Sequence, residues 1–464
     1  MGFAERVQQA VLLFRDRVTS GPVLVIGNLD TDGLTATSIL AHALTREGIP
    51  FAVHIIKQIT PGFLDELKNM DYGTFFFADL GSSSLRGLAS ALQGKHIFIL
   101  DHHPPEKTII QDLIVHVNPH LDGIDGTKDI SAAGVCYFFA RELNKANVDV
   151  AHLALIGAVG DVQERMGFTG LNREILRDAL ESGTIEMKEG LRMFGIYTKP
   201  LSKVLEFSTN PYVPGVTGDN QGAVRFLEEH GIVDRGKAHS AKLVDLSPLA
   251  VEKLRNALQK SVSEQFVGPV YLLRHERDDS PLRELKEFST LLNACGRMDK
   301  ASLGIGVCLG DEQSRIRAMD VLHDYRKEII TALQWFYRHR GTDAVREHKG
   351  FTLIYAEDEI RDTLIGTLTS LLSKSNIYPD GTILVGAAFT LEEDIKISAR
   401  IAGYRDSSVD LRTVMISLAE QCGGHGGGHR LAAGAHLPRS CRDLLLQTTL
   451  RILEHTVLEE HLVP

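Results

Sequence analysis

Hydrophobic residues in this chain recur with two different periods. Phe3, Val7, Val11 and Phe14 fall on one helical face, and Ser20-Gly21-Pro22 then breaks the chain. Val23-Leu24-Val25-Ile26 is apolar without alternation, and so are Thr74-Phe75-Phe76-Phe77-Ala78 and Ile97-Phe98-Ile99-Leu100. With Phe51–Ile56 these runs predict four strands, the first two separated by a helix from near Leu34 to about Glu47 that Gly48 stops. Strands apolar on both faces and alternating with helices predict a parallel sheet covered on both sides.

From about residue 196 the texture changes. The stretch 198–218 is rich in turn residues, 220–265 reads as helical, and strands are predicted at Val267–Leu273 and 303–309. A long helix is expected over 312–339. A last α/β segment follows, with strands at 352–355, Ile383–Phe389 and 395–401 and helices at 358–374 and 408–421. The expected architecture is α/β throughout. It comprises a parallel-sheet domain over 1–195, a helical insert and connector over 196–345, and a smaller α/β domain over 346–464.

Chemistry gathers where the predicted strands end. The strand His96-Ile97-Phe98-Ile99-Leu100 runs straight into Asp101-His102-His103, and Pro104-Pro105 forbids its continuation. The first strand leads to Asn28-Leu29-Asp30-Thr31-Asp32-Gly33, and the third to Asp79. Asp161 follows the small-residue run Ala154-Leu155-Ile156-Gly157-Ala158-Val159-Gly160, which reads equally as strand or helix. Taken singly, Asp79 reads as a turn former or helix cap, Asp30-Thr31-Asp32-Gly33 as a capping cluster or calcium-like turn, and Asp-His-His as a surface turn. In parallel sheets, however, the carboxyl ends of the strands form the site, and there these groups would meet. Two carboxylates two residues apart, with an imidazole and no thiolate, suit Mn²⁺, and Mg²⁺ secondarily, rather than structural zinc. Two such ions would clamp a phosphodiester and activate water.

Composition narrows the field. The chain is 43% hydrophobic and 24% charged, and its longest apolar runs are far short of a membrane span. The N-terminus reads as an amphipathic helix, not a signal peptide. Cys136, Cys295, Cys308, Cys422 and Cys441 show no paired spacing, as expected of reduced thiols in a cytoplasmic protein. A net charge of −10 argues against broad duplex binding but leaves room for a local basic groove. Near the C-terminus, Gly423-Gly424-His425-Gly426-Gly427-Gly428-His429 offers backbone amides and imidazoles for close approach to a phosphate or base. Cys422, His425 and His429 also have a zinc-like spacing, without an evident fourth ligand.

These residues resemble a known family. Asn28-x-Asp30-x-Asp32-Gly33, Asp79, Asp101-His102-His103 and Asp161 are similar to the four motifs of the DHH phosphoesterase superfamily. Ser398-Ala399-Arg400 and Gly427-Gly428-His429-x-x-Ala432-Ala433-Gly434 resemble the DHHA1 domain. Leu292-Asn293-Ala294-Cys295-Gly296-Arg297-Met298 is similar to a segment of RecJ-type exonucleases. The stretch 198–218 resembles the archaeal RecJ-like branch, the GINS-associated nuclease. The resemblance implies two divalent metals. Asp30 and Asp79 would hold one, and Asp32, Asp79, His102 and Asp161 the other. Asp101 would orient the His102 imidazole and His103 would meet the phosphate. The family usually has His or Asp where this chain has Asn28, so Asn28 would be a weak ligand of the first metal. Arg297, Ser398, Arg400, His425, Gly427, Gly428 and His429 would bind substrate, with Arg405 as a further candidate. The implied activity is a metal-dependent, single-strand-specific exonuclease on DNA or RNA, serving replication and repair. Two alternatives remain: a phosphodiesterase of short oligonucleotides or cyclic dinucleotides, and a replication scaffold that binds the GINS complex and replicative helicase, the helical insert being its partner surface.

Overall fold

The computed structural model describes residues 2–18, 21–107, 114–164, 167–208, 211, 213–262, 266–375, 377–391, 394–403 and 409–462. They belong to two compact units, Met1–Leu322 and His323–Pro464. In the first, five parallel strands are found among the described residues: β1 (Val23–Asn28), β2 (Phe51–Ile56), β3 (Thr74–Ala78), β4 (His96–Leu100) and β5 (Ile114–Val117). Their order is β2-β1-β3-β4-β5. The chain leaves β1 toward one edge and returns at β3 on the other side. The strand order therefore reverses between β1 and β3, and the crevice beyond their carboxyl ends is where such sheets hold ligands.

Helices α1 (Phe3–Arg17), α2 (Thr31–Arg46), α3 (Pro61–Leu67), α4 (Leu85–Ala91), α5 (Ala132–Leu143), α6 (Ala151–Gly160) and α7 (Gly170–Glu181) flank the sheet. On one face Phe14 of α1 meets Phe76, Phe98 and Phe139 edge-on, with ring centroids 5.4, 5.6 and 5.7 Å away. Phe75, Phe77, Ile97 and Ile99 point to the other face and pack with Phe63, Leu67, Leu85 and Leu88 of α3 and α4. This two-sided burial is why the run Phe75-Phe76-Phe77 shows no alternation.

The insert differs in extent from the expected 196–345: it begins with β6 (Ile185–Leu191), continues through α8 (Leu201–Glu206), α9 (Asn220–Glu229) and α10 (Pro248–Ser261), and closes with β7 (Val267–Leu273), antiparallel to β6. It has its own apolar centre, which includes Leu201, Leu205, Leu227, Leu254 and Leu258. Next, α11 (Leu285–Arg297) packs on α6 and α2, and α12 (Ala301–Cys308) packs on α11 and α2. The expected strand at 303–309 is therefore a helix. Its apolar run is too short to separate the two periods, and the buried set includes Leu303, Gly304, Val307 and Cys308, which share one helical face. The helical stretch expected over 220–265 is two helices, with Ser247 capping the second where Pro248 begins it. Strand β5 was not anticipated.

A long helix, α13 (Glu312–His339), leads into the second unit, as expected from the sequence. There β8 (Val345–His348), β9 (Phe351–Glu357), α14 (Asp362–Ser373), β10 (Ile383–Phe389), β11 (Asp394–Ile401), α15 (Leu411–Cys422), β12 (His425–His429), β13 (Ala432–Pro438) and α16 (Arg442–Leu462) follow. The sheet order is β12-β13-β11-β10-β9-β8, with only the β9–β10 pair parallel. Gly423, at φ +72°, ends α15 and turns the chain into β12. All five cysteines are free and buried. No helix among the described residues is long and apolar enough to cross a membrane.

Phe76→Ala would remove the ring stacked on Phe98 at 4.8 Å and leave a cavity among fully buried neighbours. It is expected to destabilise the first unit by about 3–5 kcal/mol, measured by urea unfolding.

Candidate metal centre

The first loop of the centre is built by close approach. Asp30 caps α2, its Oδ1 accepting from Gly33 N at 3.0 Å. A side chain at Gly33 would strike the backbone and Cβ of Asn28, so only glycine lets α2 start this near the end of β1. Asp32, in the first turn of α2, is fully buried. Its two oxygens accept from Ala132 N at 2.7 Å and Ala133 N at 3.0 Å, the first amides of α5. A helix N-terminus is a ready partner for a carboxylate, which is how this one is held away from water. A Cβ at Gly157 would strike Asp32, so α6 closes over it only through a glycine.

Asp79 ends β3 in the left-handed region, at φ +64°, and is 2% exposed. A non-glycine residue there is held by its surroundings and is characteristic of functional sites. Beyond β4, His102 Nδ1 donates to the Gly126 carbonyl at 2.6 Å, which leaves the lone pair on Nε2. That nitrogen faces Asp161 at 3.1 Å, Asp79 at 3.5 Å and Asp32 at 3.8 Å. Asp161 caps the end of α6, which settles the open reading of the run before it as helix.

Asp101 does not orient the His102 ring, contrary to expectation; the Gly126 carbonyl does. Asp101 Oδ1 instead accepts from the backbone amides of His102 and His103 at 2.8 and 3.2 Å, and contacts His103 Nδ1 at 2.8 Å. It is the partner of His103, whose side chain is 41% exposed. Ser82 N donates to the other Asp101 oxygen at 3.0 Å. Asn118 Nδ2 donates to both Ser82 Oγ and the His103 carbonyl, at 2.8 and 2.9 Å.

The electrostatics follow from this crowding. Burial pushes Asp79 well above the usual carboxylate range and Asp30 adds to it, against the pull of His102. Burial also raises Asp32, with His102 opposing and Asp30 assisting. Burial and the Asp32 charge push Asp161 up to about 7. For His102 burial acts downward, but Asp79, Asp161 and Asp32 outweigh it and hold the imidazole well above its ordinary value. For Asp101 burial acts upward, but His103 and the surrounding donors win and hold it far below. The central group is thus short of positive charge, while Asp101 is a settled anion.

The residues fit a divalent cation. His102 Nε2 and Asp79 Oδ1 are both buried and, among the described residues, without a hydrogen-bond partner. Ligand atoms of Asp32, His102 and Asp161 lie within 4.8 Å of one another, as do those of Asp79, His102 and His103. In its neutral form the buried imidazole would aim a lone pair at the same point as these carboxylates, a donor set that suits a cation between them. Asp30 stands outside both groups, and Asn28 Oδ1 accepts from Leu29 N at 2.6 Å.

The expected substrate residues fall in two places. Arg297 is the last residue of α11, where a side chain on the preceding Gly296 would collide with the Leu29 carbonyl. In the second unit, cross-strand register puts Lys396, His436 and His425 in one row, Ser398, Gly434 and Gly427 in the next, and Arg400, Ala432 and His429 in a third. Paired residues share a face, so Ser398, Arg400, His425 and Gly427 stand on one side of the sheet and Gly428 on the other. Arg400 Nε donates to Ser370 Oγ at 2.9 Å. The His429 side chain and Arg405 lie outside the described residues. Cys422 is buried beside Cys441, not turned toward His425, which is exposed.

Ser82, Asn118, Gly126, Gln163, Lys396 and His436 were missed. Asn118-Pro119, directly after β5, and Ser82, just beyond Asp79, carried a usable signal as polar residues at strand ends. Gly126 and Gln163 act through a carbonyl and a second-layer amide, which sequence pattern does not mark.

Fold and site together define a two-unit α/β protein with an acid–histidine centre at the switch point of a parallel sheet. Residues 22–158 match the N-terminal domain of the DHH family, 193–268 the DHH-CID domain and 350–455 the DHHA1 domain. An uncharacterised protein of Methanocaldococcus jannaschii is 31% identical over 429 residues, covering 89% of each chain. The single-stranded-DNA-specific exonuclease RecJ of Thermus thermophilus is 26% identical over 237 residues, 48% of this chain and 35% of that one. The structure of Thermus RecJ in complex with Mn²⁺ aligns with a TM-score of 0.59 at 16% identity, over 98% of this chain and 55% of that chain. CDC45 of Entamoeba histolytica aligns with a TM-score of 0.67 at 11% identity, over 97% and 99%. At those identities the structural likeness concerns the fold. The chain belongs to the DHH/DHHA1 superfamily, as a RecJ-like member.

The raised Asp161 and His102 have a consequence for pH. Each favours its protonated form in the folded chain, so its contribution to stability is full at low pH and lost as pH rises. For Asp161 the loss runs from about 4 to about 7. In EDTA the parent melting temperature should therefore fall relative to Asp161→Asn between pH 5 and 8. Mn²⁺ should stabilise the parent more at pH 8 than at pH 5, because ligands must be deprotonated to bind. Differential scanning calorimetry reads both.

Proposed function

We propose that this protein is a metal-dependent hydrolase of phosphodiester bonds in single-stranded nucleic acid, acting as an exonuclease. The observation that carries this reading is the convergence of Asp32, Asp79 and Asp161 on the unpartnered His102 Nε2 at the β1–β3 crevice. Asp32, Asp79, His102 and Asp161 would hold a divalent ion, Mn²⁺ first and Mg²⁺ second, and Asp30 with Asp79 a second one. When bound, such ions activate water and neutralise charge developing on a phosphate. The chain's own groups do the rest. Gly126 fixes the His102 tautomer. Asp101 outweighs burial and holds His103 above its ordinary value, so the ring presents a proton to a phosphate oxygen from a partly exposed position. Ser82 and Asn118 keep Asp101 and the His103 backbone in register.

The proposed nucleic-acid contact face of the second unit is formed by Lys396, Arg400 and His436 beside the glycine strand, with Ser398 buried between them. It is polar and cationic within a chain of net charge −10, and only 6% of residues are aromatic. Grip through phosphates rather than stacked bases follows from that balance. The exonuclease named among the relatives supports single strands as the substrate class.

A second reading, a replication scaffold with little or no nuclease activity that binds a GINS-like partner, is favoured by Asn28. It is a neutral residue at the end of β1, and its amide oxygen is turned to its own backbone neighbour.

End-labelled single-stranded DNA and RNA, long and very short, incubated with Mn²⁺, Mg²⁺ or EDTA, separate these readings. Cleavage of the long strands is expected with Mn²⁺ and not with EDTA. His103→Ala should lower the rate by about 10²–10⁴-fold and Asp32→Ala at least as much. Parent-like rates in both variants would sink the site assignment. A folded, Mn²⁺-binding parent with no cleavage under any condition would favour the scaffold, and cleavage confined to very short substrates would favour an oligonucleotide phosphodiesterase.

A further inference from the structure

The turn after α6 carries Asp161 and then runs through three unusual residues. Val162 has φ +59° and is 62% exposed. A β-branched residue in the left-handed region is a true outlier, and its solvent-facing side chain does nothing to hold it there. The turn is held from the two residues that follow, both buried and polar. Gln163, 5% exposed, donates through Nε2 to the Gly126 carbonyl at 2.9 Å and to the Ile130 carbonyl at 3.2 Å, and Asn172 donates to its Oε1 at 2.7 Å. The Gly126 carbonyl is the same one that takes the His102 Nδ1 proton, so the Asp161 turn and the His102 ring share one anchor.

Glu164, also 5% exposed, is gripped from the insert. Arg192, just beyond β6, donates through Nη2 to the Glu164 carbonyl at 2.8 Å and to its carboxylate oxygens at 2.9 and 2.8 Å. Lys286, in the first turn of α11, stands 3.3 Å from the same carboxylate. α11 also touches the first motif: Thr31 Oγ1, between Asp30 and Asp32, donates to the Ser289 carbonyl at 2.8 Å. One helix thus contacts the loop of Asp30 and Asp32 and, through Lys286, the turn of Asp161.

We infer that Glu164, with Arg192 and Lys286, is a positioning residue for the metal centre: the buried ionic cluster keeps the strained Asp161 turn closed, so that Asp161 meets His102 and Asp32. The inference rests on the proposed metal binding at Asp32, His102 and Asp161. It gives the insert a role at the site without placing any insert residue in contact with the ion. Groups that support a ligand from behind are commonly worth 10–100-fold in metal affinity.

The test is calorimetric titration of the whole chain with Mn²⁺, with thermal unfolding measured alongside. Arg192→Met alone leaves Glu164 buried with half its partners and risks the fold. The second variant, Glu164→Met with Arg192→Met, replaces the pair by apolar side chains of similar size, which proteins often tolerate without loss of stability. The double variant is expected to melt close to the parent yet bind Mn²⁺ about tenfold or more weakly, and Arg192→Lys to fall between. Mn²⁺ affinity within twofold of the parent in the folded double variant would overturn the inference while leaving the metal reading intact. Absence of Mn²⁺ binding by the parent itself would overturn both.

Discussion

The structure is organised by a repulsion. Three carboxylates, on the buried Asp32 and Asp79 and the partly exposed Asp161, are brought to one imidazole nitrogen, His102 Nε2. Left alone, like charges this close raise one another's pKa and draw in protons. A chain does not arrive at such a cluster through packing, since any two of the carboxylates would be better solvated apart. Each is therefore fixed by something stronger than its own preference. Asp32 is tied to the amides that open α5, Asp79 is locked in a left-handed turn at the end of a fully buried strand, and Asp161 closes a helix whose following turn is bolted down. A divalent cation bound there, as proposed, would turn the mutual repulsion into coordination.

That constraint explains features that look unrelated. Gly33, Gly126 and Gly157 lie far apart in sequence, yet each is where a side chain would push one part of the site away from another. The parallel sheet matters for the same reason. Its order brings the ends of β1, β3 and β4 side by side, so Asp32, Asp79 and His102 become neighbours through the strands that carry them. The apolar triplet Phe75-Phe76-Phe77, buried on both faces, is what makes the position of Asp79 rigid enough to tolerate positive φ.

Much of this could be read in the sequence because strand ends and acids are both visible there. The apolar runs located β1, β3 and β4, and the carboxylates after them located the rim. What could not be read was the direction of individual bonds. The resemblance implied that Asp101 orients the His102 ring; in the folded chain the strand end turns Asp101 toward His103, and the carbonyl of Gly126 accepts the hydrogen bond from His102 Nδ1. The helix at Ala301–Cys308 reads as a strand in sequence because an apolar run of that length fits either period until its neighbours are known. On the second sheet, Ser398 and Arg400 stood out by motif, whereas Lys396 and His436 join them only through strand register, a property of pairing rather than of either strand.

The division within Asp101-His102-His103 bears on how evenly two metal sites would be built. Asp32 and His102 are each held by buried bonds from elsewhere in the chain, and the turn after Asp161 is anchored through Gln163, so that group is formed before any ion arrives. The other group is assembled differently. Asp30 already serves α2 as its cap, and Asn28 serves its own backbone. A carboxylate has lone pairs enough to cap a helix and bind a cation at once; an amide oxygen turned to Leu29 has less to give and carries no charge. An ion beside Asp30 and Asp79 would therefore be held mainly by the shared Asp79 and by whatever phosphate oxygen it meets. On that argument the proposed inner site would be the resident one, and the proposed outer site would gain most of its strength from substrate.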